Sequence, residues 1–310
     1  MIEIEHLSKR FGITLAVEDL TFTVRPGRVT GFLGPNGAGK STTLRMIMGL
    51  ARPSTGRVRV NGRSYADHAA PLREMGALLD ARAVHPGRTA YDHLRIPAAI
   101  AGISTDRVRK LLDLVGLSRV ADRRTRTFSL GMTQRLGVAT ALLGDPRVIV
   151  LDEPVNGLDP DGIRWIRRLL RDLAAEGRTV FLSSHLMSEM ALTADHLVVL
   201  GRGRLLADVS MSELLGTTAP TVRVRTPQAE ALLDPLLARR VQVQRPEPTV
   251  LLIEGQTVEQ VADLAFAHHV VLHELTAHQR SLEDAYLDLT HGATSLTTSD
   301  PATTTHRRAA

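Results

Sequence analysis

Short stretches near the start of the chain alternate between hydrophobic and polar residues. They are residues 2–5, 20–24 and 57–60. A period of two is typical of strands with one buried face, and the Asn61-Gly62 pair is typical of a tight hairpin turn. Residues 29–33 form a continuous apolar run, which predicts a buried strand that leads through a glycine-rich loop into a helix at about 40–50. The first part of the chain is therefore predicted to be mixed β with one helix.

The pattern changes between about residues 83 and 145. Helical periodicity replaces alternation there and predicts three helices with no strand between them, at 90–101, 105–115 and 131–143. From residue 148 onward, strands and helices alternate. The predicted strands are 148–151, 179–182 and 196–200, and the predicted helices are 161–176 and 186–193. Such alternation is typical of a parallel sheet with crossover helices, so residues 83–145 are interpreted as a helical insertion in an α/β domain.

A second unit is predicted from about residue 218. Its strands are predicted at 221–225, 241–244, 250–253 and 270–275, and its helices at 229–238 and 258–267. The order β-α-β-β-α-β suggests a small α+β, ferredoxin-like module. An amphipathic helix is expected at 281–289, followed by a disordered tail rich in Thr, Ser and Ala. The predicted domains are therefore 1–217 and 218–290, with a tail over 291–310.

Composition narrows the possible classes of protein. The 310 residues are 43% hydrophobic and 23% charged, which is enough apolar material for globular domains. Cysteine does not occur, so a disulfide framework, a thiolate zinc site and a cysteine nucleophile are excluded. No run of 18 apolar residues occurs and the acidic start is not typical of a signal peptide, so we expect no membrane-spanning segment in this sequence.

The net charge raises the question of an anionic partner. The formal net charge is +5, and lysine occurs only at Lys9, Lys40 and Lys110, so arginine supplies nearly all of the basic side chains. Arginine usage of this kind is typical of a GC-rich genome, and the alternative is contact with nucleic acid or an anionic membrane. The arginines are scattered and only 3% of the residues are aromatic. A base-stacking surface is not indicated, and no stable nucleic-acid partner is expected.

One glycine-rich segment matches the phosphate-loop pattern G-x-x-x-x-G-K-[ST]. Its residues are Gly34, Pro35, Asn36, Gly37, Ala38, Gly39, Lys40 and Ser41, followed by Thr42. The segment lies between a predicted strand and a predicted helix, as this pattern requires. Main-chain N–H groups and the helix N-terminus can then bind phosphates. Because Lys40 can reach the β- and γ-phosphates and Ser41 can bind Mg²⁺, the segment predicts a nucleoside triphosphate site, and a chance glycine turn is the disfavoured alternative.

Two carboxylates follow the apolar strand at 148–151. Asp152 and Glu153 lie at the carboxyl end of that strand, and this is the end of a parallel sheet where ligands bind. Asp152 is placed to hold Mg²⁺ through water, and Glu153 is placed to act as general base toward an attacking water. Alone, an apolar run that ends in two acids is weak evidence, but together with the phosphate loop it indicates hydrolysis of a nucleotide.

Further motifs follow in an order that resembles the nucleotide-binding subunits of ATP-binding cassette (ABC) transporters over about residues 1–215. Residues 128–132, with Gln134 and Arg135, resemble the signature motif LSGGQ-x-Q-R. Residues 156–159 resemble the D-loop and His185 the switch histidine. The resemblance implies an α/β P-loop NTPase cassette with a mixed sheet core, an antiparallel β subdomain and a helical insertion.

The resemblance also implies roles for residues outside the phosphate loop. Two subunits would enclose two ATP molecules, with Ser129 and the Gly131 N–H of one subunit at the γ-phosphate held by the other. His185 would contact the γ-phosphate and orient the water near Glu153, and Asp159 would link the two sites. Phe11 stands where the family stacks an aromatic ring on adenine. Taken alone, a Ser-x-Gly segment is most often a helix cap and a lone histidine is most often structural, but the joint order of the motifs favours the functional interpretation.

The sequence departs from the family pattern in two places. The signature segment carries Leu130 and Met132 where the strict pattern has glycine and glutamine. Asp80 stands where the Q-loop glutamine is expected, and an aspartate attracts Mg²⁺ but repels a γ-phosphate. We hypothesise that Asp80 contacts the metal and couples to the membrane partner. Residues 77–88 resemble, more loosely, a branch of bacterial drug and peptide exporters.

These expectations combine into one leading hypothesis. The chain is expected to be an ATPase that uses ATP and Mg²⁺, forms a homodimer and powers export of a drug, antibiotic or peptide through a separate membrane permease, from the cytoplasmic side of the cell membrane. One rival is a soluble ABC ATPase that acts on nucleic acid or ribosomes, which the single phosphate loop disfavours. The other is a regulatory or immunity module without turnover, which Glu153 and His185 disfavour.

Four histidines lie close together in the second unit. They are His268, His269, His273 and His278. No pair among them has i, i+4 spacing on a clear helix with a third ligand nearby. Surface histidines are therefore favoured over a metal site.

Overall fold

The structure is a computed structural model that describes residues 1–215, 221–278 and 281–295. The described residues fall into two compact units. One contains Met1–Met211 and the other contains Ser212–Asp288. Among the helices of the described ranges, none is long and apolar enough to cross a membrane.

The first unit combines nine strands with seven helices. In chain order, the strands are β1 (Ile2–Phe11), β2 (Thr14–Val24), β3 (Arg28–Leu33), β4 (Thr55–Val60), β5 (Met75–Leu78), β6 (Val148–Asp152), β7 (Thr179–Ser183), β8 (His196–Gly201) and β9 (Arg204–Ser210). The helices are α1 (Lys40–Ile47), α2 (Pro71–Glu74), α3 (Ala90–Ile100), α4 (Thr105–Leu114), α5 (Leu130–Ala141), α6 (Pro160–Ala175) and α7 (Met187–Thr193). A further short helix, α8 (Met211–Leu215), begins at the boundary between the units.

A six-stranded sheet forms the centre of the first unit. Its strand order is β5-β6-β7-β3-β8-β9, parallel except for β9. A separate antiparallel sheet, β2-β1-β4, packs on one face, where Phe22 lies 5.9 Å from Phe32 and 6.1 Å from Phe181 between ring centroids. Because β3, β6 and β7 are parallel neighbours, the loops after Leu33, Asp152 and Ser183 leave the same edge of the sheet. This edge is where the candidate site lies.

The helical insertion forms as the pattern predicts, and the tight turn at Asn61-Gly62 forms an antiparallel bridge between Val60 and Arg63, without a second strand after it. Val60 and Arg63 exchange two main-chain hydrogen bonds of 2.7 and 3.2 Å around a tight turn. No strand follows this turn directly, since residues 65–67 form a 3₁₀ turn. Instead β4 pairs with β1, with Val60 opposite Ile2. The turn signal is local, whereas the strand that pairs with β4 lies 47 to 58 residues earlier in the chain.

The second unit has the predicted β-α-β-β-α-β order. Its elements are β10 (Thr221–Arg225), α9 (Ala229–Ala238), β11 (Val243–Glu247), β12 (Val250–Glu254), α10 (Val258–Ala267) and β13 (Glu274–His278). The strands form an antiparallel sheet in the order β11-β12-β10-β13. Two helices of the unit, α9 and α10, contribute buried apolar residues to a core with this sheet.

Two strand starts in this unit were predicted too early, for one reason. Helix α9 ends in a left-handed residue, Arg240, whose N–H donates to the Leu237 carbonyl at 2.9 Å. The next N–H, of Val241, donates to the Leu236 carbonyl at 3.1 Å, an arrangement typical of a helix end. Helix α10 ends in the same way, with the N–H of Val270 donating to Ala265 at 2.9 Å. Each valine therefore closes a helix and packs on the core instead of opening a strand.

The last helix is longer than expected. Helix α11 runs over Leu282–Ser295, so the first five residues of the predicted tail, 291–295, are helical. Residues 296–310 lie outside the described part of the chain.

Candidate functional site

The phosphate-loop segment connects β3 to α1 at the carboxyl edge of the central sheet. Lys40 is the first residue of α1 and is only 7% exposed. Its ammonium group donates to the main-chain carbonyls of Gly34 at 2.5 Å and Pro35 at 3.2 Å. Burial lowers the pKa of Lys40, while the carboxylates of Glu153 and Asp152 act in the opposite direction. The charge is thus held inside the loop, where a phosphate would sit.

The loop closes tightly only because its fourth and sixth residues are glycines. Gly37 and Gly39 have φ of +81° and +100°, a backbone region that disfavours side chains. A Cβ on Gly39 would lie 2.6 Å from the carbonyl oxygen of Ala16. Ala38, between them, is buried and its N–H donates to Pro35 at 3.1 Å. The loop is therefore shaped by the close approach of β2.

Side-chain oxygen atoms that can bind a metal ion lie beside the loop, on Ser41 and Asp152. The hydroxyl of Ser41, on α1, donates to Asp152 Oδ2 at 3.1 Å, and the Ser183 hydroxyl donates to the other oxygen of Asp152. Hard oxygen ligands of this kind suit Mg²⁺. A cavity of about 250 Å³ opens here, lined by the phosphate loop with Thr42, by Ala16, and by Asp152 and Glu153.

Glu153 sits in an unusual backbone conformation directly after β6. Its φ is +52°, which non-glycine residues adopt rarely. Its N–H donates to the Ser183 carbonyl at 3.2 Å and hydroxyl at 3.1 Å. Its Oε2 accepts from His185, at 2.8 Å from Nδ1 and 3.3 Å from the main-chain N–H. The base and the histidine predicted from sequence are thus paired.

The signature segment forms the start of α5. Ser129 is the N-cap, and its hydroxyl oxygen accepts from the Met132 N–H at 3.2 Å. Gly131 packs against the D-loop, since a Cβ there would lie 2.9 Å from the Gly157 carbonyl oxygen. Asp159 is the N-cap of α6 and accepts from the Gly162 N–H at 2.8 Å. Ser129 and Asp159 therefore both cap helices within this chain, and this role is compatible with their predicted roles at the nucleotide.

Some predicted site residues do not line the phosphate-loop cavity among the described residues. They are Phe11, Gly34, Ala38, Asp80, Ser129, Gly131, Asp159 and His185. Gly34 and Ala38 belong to the loop itself, and His185 is bonded to Glu153, which does line the cavity. Phe11 is 54% exposed near the end of β1, with the Lys9 ammonium 4.9 Å from its ring centroid. Asp80 is exposed, and its Oδ1 accepts from the Arg82 N–H at 2.8 Å. Their roles toward ATP, like the roles of the other site residues, stay predictions.

Two residues of the site were given no contact with the acids in the sequence analysis, although Gln134 was named there as part of the signature resemblance. Ser183 bonds to both Asp152 and Glu153, and the buried Gln134 of α5 donates through Nε2 to the Glu153 carbonyl at 3.1 Å. The available signals for Gln134 were its place in the signature motif and its position on a helix face with the buried Val138 and Ala141. Ser183 offered no such signal, because a serine at the end of a strand is common.

The histidines of the second unit are exposed where the structure describes them. His268, His269 and His273 all have exposed side chains. Within the described ranges, no group of three or more His, Cys, Asp or Glu side chains is arranged to hold a metal ion. The side chain of His278 lies outside the described part.

Comparison with known proteins gives concordant results. The profile of the family described as "ABC transporter" matches residues 17–156, and that of a domain of unknown function, DUF8746, matches residues 220–283. The uncharacterized ABC transporter ATP-binding protein YhcH of Bacillus subtilis (strain 168) is 34% identical over 295 residues, which cover 94% of this chain and 96% of YhcH. The bacitracin transport ATP-binding protein BcrA of Bacillus licheniformis is 39% identical over 217 residues, covering 69% of this chain and 71% of BcrA.

A solved structure agrees with these relatives. A structure described as the ATP-binding subunit of an ABC transporter matches with a TM-score of 0.64 and 31% identity, over 69% of this chain and 91% of that one. The phosphate loop, the paired acids and the fold therefore belong to one class, the P-loop ATPases. Within it, the chain belongs to the family of ATP-binding proteins of ABC transporters. The resemblance inferred from the motifs and the predicted cassette fold are confirmed.

Proposed function

We propose that this chain is the ATP-hydrolysing subunit of a transporter that exports a peptide or antibiotic through a separate membrane permease. The observation that carries the proposal is the pairing of Glu153 with His185 at 2.8 Å beside a complete phosphate loop. A loop alone can bind a nucleotide, whereas a positioned base beside it supplies what hydrolysis needs in addition. The arrangement thus favours turnover over a purely regulatory nucleotide site.

The residues support a direct attack by water. The Glu153 carboxylate takes a proton from water, the water oxygen bonds to the γ-phosphorus, and the bond from that phosphorus to the bridging oxygen breaks. ADP and inorganic phosphate result. Lys40 offsets the negative charge on the phosphates, and His185, when protonated, can donate to a γ-phosphate oxygen from Nε2 while Nδ1 stays bonded to Glu153.

Ser41 and Asp152 are the two residues beside the phosphate loop that would hold Mg²⁺. Their side-chain oxygens already lie 3.1 Å apart, next to the phosphate loop. When bound, the ion neutralises charge on the β- and γ-phosphates. Ser183 orients Asp152 through its hydroxyl, so the metal-binding side chain is held by a neighbouring strand.

A second copy of the chain would complete each site. Ser129 and the first turn of α5 do not line this chain's own cavity among the described residues, yet a helix N-terminus with a serine hydroxyl suits a phosphate. We therefore propose a homodimer in which Ser129 and Gly131 of one copy contact the ATP held by the other. The exposed ring of Phe11 would stack on adenine, and Asp159 would connect the two copies.

The relatives support the choice of cargo class. BcrA is described as a bacitracin transport ATP-binding protein, which agrees with the branch of drug and peptide exporters that residues 77–88 resemble. Export through a permease would place this chain at the cytoplasmic face of the cell membrane. Cargo choice would then belong to the permease.

Magnesium dependence tests the proposed ATPase activity. The full-length protein should release inorganic phosphate from Mg·ATP, and chelation of Mg²⁺ with EDTA should reduce release to the rate without enzyme, because Ser41 and Asp152 then have no ion to hold. Phosphate release is measured at steady state. Release that never exceeds the blank would contradict the proposal, and turnover that requires added RNA and disappears at high salt would favour the nucleic-acid alternative.

Asp80 provides a separate prediction about coupling. We propose that Asp80 contacts the metal and the permease, and its exposed position beside Arg82 leaves it accessible to a partner. Asp80→Ala should lower ATP hydrolysis by the chain purified with its permease by about tenfold, the effect of losing roughly 1.4 kcal/mol of transition-state stabilisation. Asp67→Ala, which removes another exposed acid, is the control. Equal rates for the wild type and Asp80→Ala would refute the role.

A further inference from the structure

We propose that Gln134 is a positioning residue that ties the signature helix α5 to the catalytic base Glu153 of the same chain. The inference rests on the proposed function. Gln134 is 3% exposed, and its side-chain amide donates to the main-chain carbonyl of Glu153 at 3.1 Å. Because α5 would serve the nucleotide bound by the second copy, this one bond would link the occupancy of one site to the base of the other.

The hydrogen bond from Gln134 reaches a residue, Glu153, whose backbone conformation is unfavourable by itself. Glu153 has φ of +52°, a conformation that costs free energy and persists only when its surroundings hold it. Its N–H is held by Ser183 on β7. Its carbonyl accepts from Gln134 and also from the Asn156 N–H, at 3.2 Å, within the same turn. The Asn156 bond is local to the turn, so Gln134 is the contact that joins the turn to α5.

The path from the helix start to Glu153 is short. Ser129 and Gln134 are five residues apart on α5, which is about 7.5 Å along a helix axis. Near Ser129, Leu130 and Gly131 pack closely on Gly157 of the D-loop. A Cβ on Gly131 would lie 2.9 Å from the Gly157 carbonyl oxygen, and a Cβ on Gly157 would collide with the Leu130 side chain. A shift of the helix start on binding phosphate would therefore move the Gln134 amide and the Glu153 carbonyl with it.

A purely structural role for Gln134 predicts a different outcome. A buried amide that only satisfies a carbonyl would affect stability, and its loss would leave the remaining active molecules with normal kinetics. A positioning role predicts a fall in kcat with little change in KM for ATP, because the phosphate loop itself is not touched. It also predicts weaker cooperativity between the two sites.

Two variants of the full-length protein separate these outcomes. In Gln134→Leu, kcat should fall at least about tenfold, KM for ATP should stay within about twofold, and the Hill coefficient should move toward one. In Gln134→Glu, the carboxyl can donate to the Glu153 carbonyl only when protonated. Its kcat relative to wild type should therefore rise as pH is lowered from about 8 to about 6. Thr140→Val, which removes a hydroxyl bonded to the Leu136 carbonyl on α5, should match wild type.

The results that would overturn the inference are distinct from those that would overturn the proposed function. If wild type hydrolyses Mg·ATP and Gln134→Leu keeps kcat within twofold with an unchanged Hill coefficient, only the inference falls. If Gln134→Leu does not fold, as judged by thermal unfolding, the pH profile of Gln134→Glu decides, and a ratio to wild type that does not change with pH refutes the role. Absence of hydrolysis by wild type itself would overturn the proposed function.

Discussion

Replacing Glu153 with glutamine should lower ATP turnover about a thousandfold, within the range typical for loss of a general base, while ATP stays bound. The change keeps the size of the side chain and removes its charge. The glutamine amide can therefore still contact His185, which lies 2.8 Å from the carboxylate in the wild type. The amide cannot take a proton from water. Removing a negative charge beside the γ-phosphate also reduces repulsion, so affinity for ATP should not fall.

Binding without hydrolysis should trap the closed dimer. Light scattering of Glu153→Gln with Mg·ATP should report twice the mass of the monomer, and phosphate release should be measured on the same sample. Asp161→Asn, which neutralises an exposed acid at the start of α6, is the matched control and should keep wild-type turnover. A Glu153→Gln protein that hydrolyses ATP at the wild-type rate would remove Glu153 from the mechanism, and one that stays monomeric with saturating ATP would argue against dimer closure.

Replacing Lys40 with alanine should weaken ATP binding at least about a hundredfold, since a hydrogen bond to a charged group contributes roughly 1.5–3 kcal/mol and Lys40 offers more than one. Its ammonium is buried in the loop and donates to the carbonyls of Gly34 and Pro35. The same position would let it turn to the phosphates of a bound nucleotide. Alanine removes the charge and leaves those carbonyls to repel the phosphates.

Two controls make the Lys40 measurement specific. Lys110→Ala removes an exposed lysine of α4 and should leave the dissociation constant for ATP unchanged. Lys40→Arg keeps the charge but should bind weakly as well, because the planar guanidinium does not fit the narrow space that an ammonium fills. Dissociation constants can be measured by calorimetry with Mg·ATP, and a value for Lys40→Ala within threefold of wild type would contradict the role.

The phosphate loop could be predicted because it is local. Gly37, Gly39, Lys40 and Ser41 are consecutive in the chain or nearly so, and glycine, lysine and serine have few other reasons to occur in that spacing beside a buried strand. Asp152 and Glu153 were predicted for a similar reason, since they end a continuous apolar strand. The family resemblance added His185, which the structure places against Glu153.

Contacts between distant segments could not be predicted in this way. Ser183 reaches Asp152 across 31 residues of chain, and Gln134 reaches Glu153 across 19. Gln134 was recognised as part of the signature motif, but the motif did not show that its side chain meets Glu153, and Ser183 belongs to no motif in the sequence. The late starts of β11 and β13 were missed for a related reason. Val241 and Val270 are of a residue type typical of strands, but in the structure they complete the ends of α9 and α10 and pack on the core.

The order of hydrophobic and polar residues determined which segments form strands and helices, and the motifs determined which side chains carry the chemistry. Only the tertiary structure decided which side chains meet. The strand order β6-β7-β3 places the ends of three strands side by side, and this brings Ser41, Asp152 and Glu153 within reach of one nucleotide. The physical reason is that local propensity depends on neighbours in the chain, whereas strand pairing depends on burying apolar surface between segments that are far apart in it.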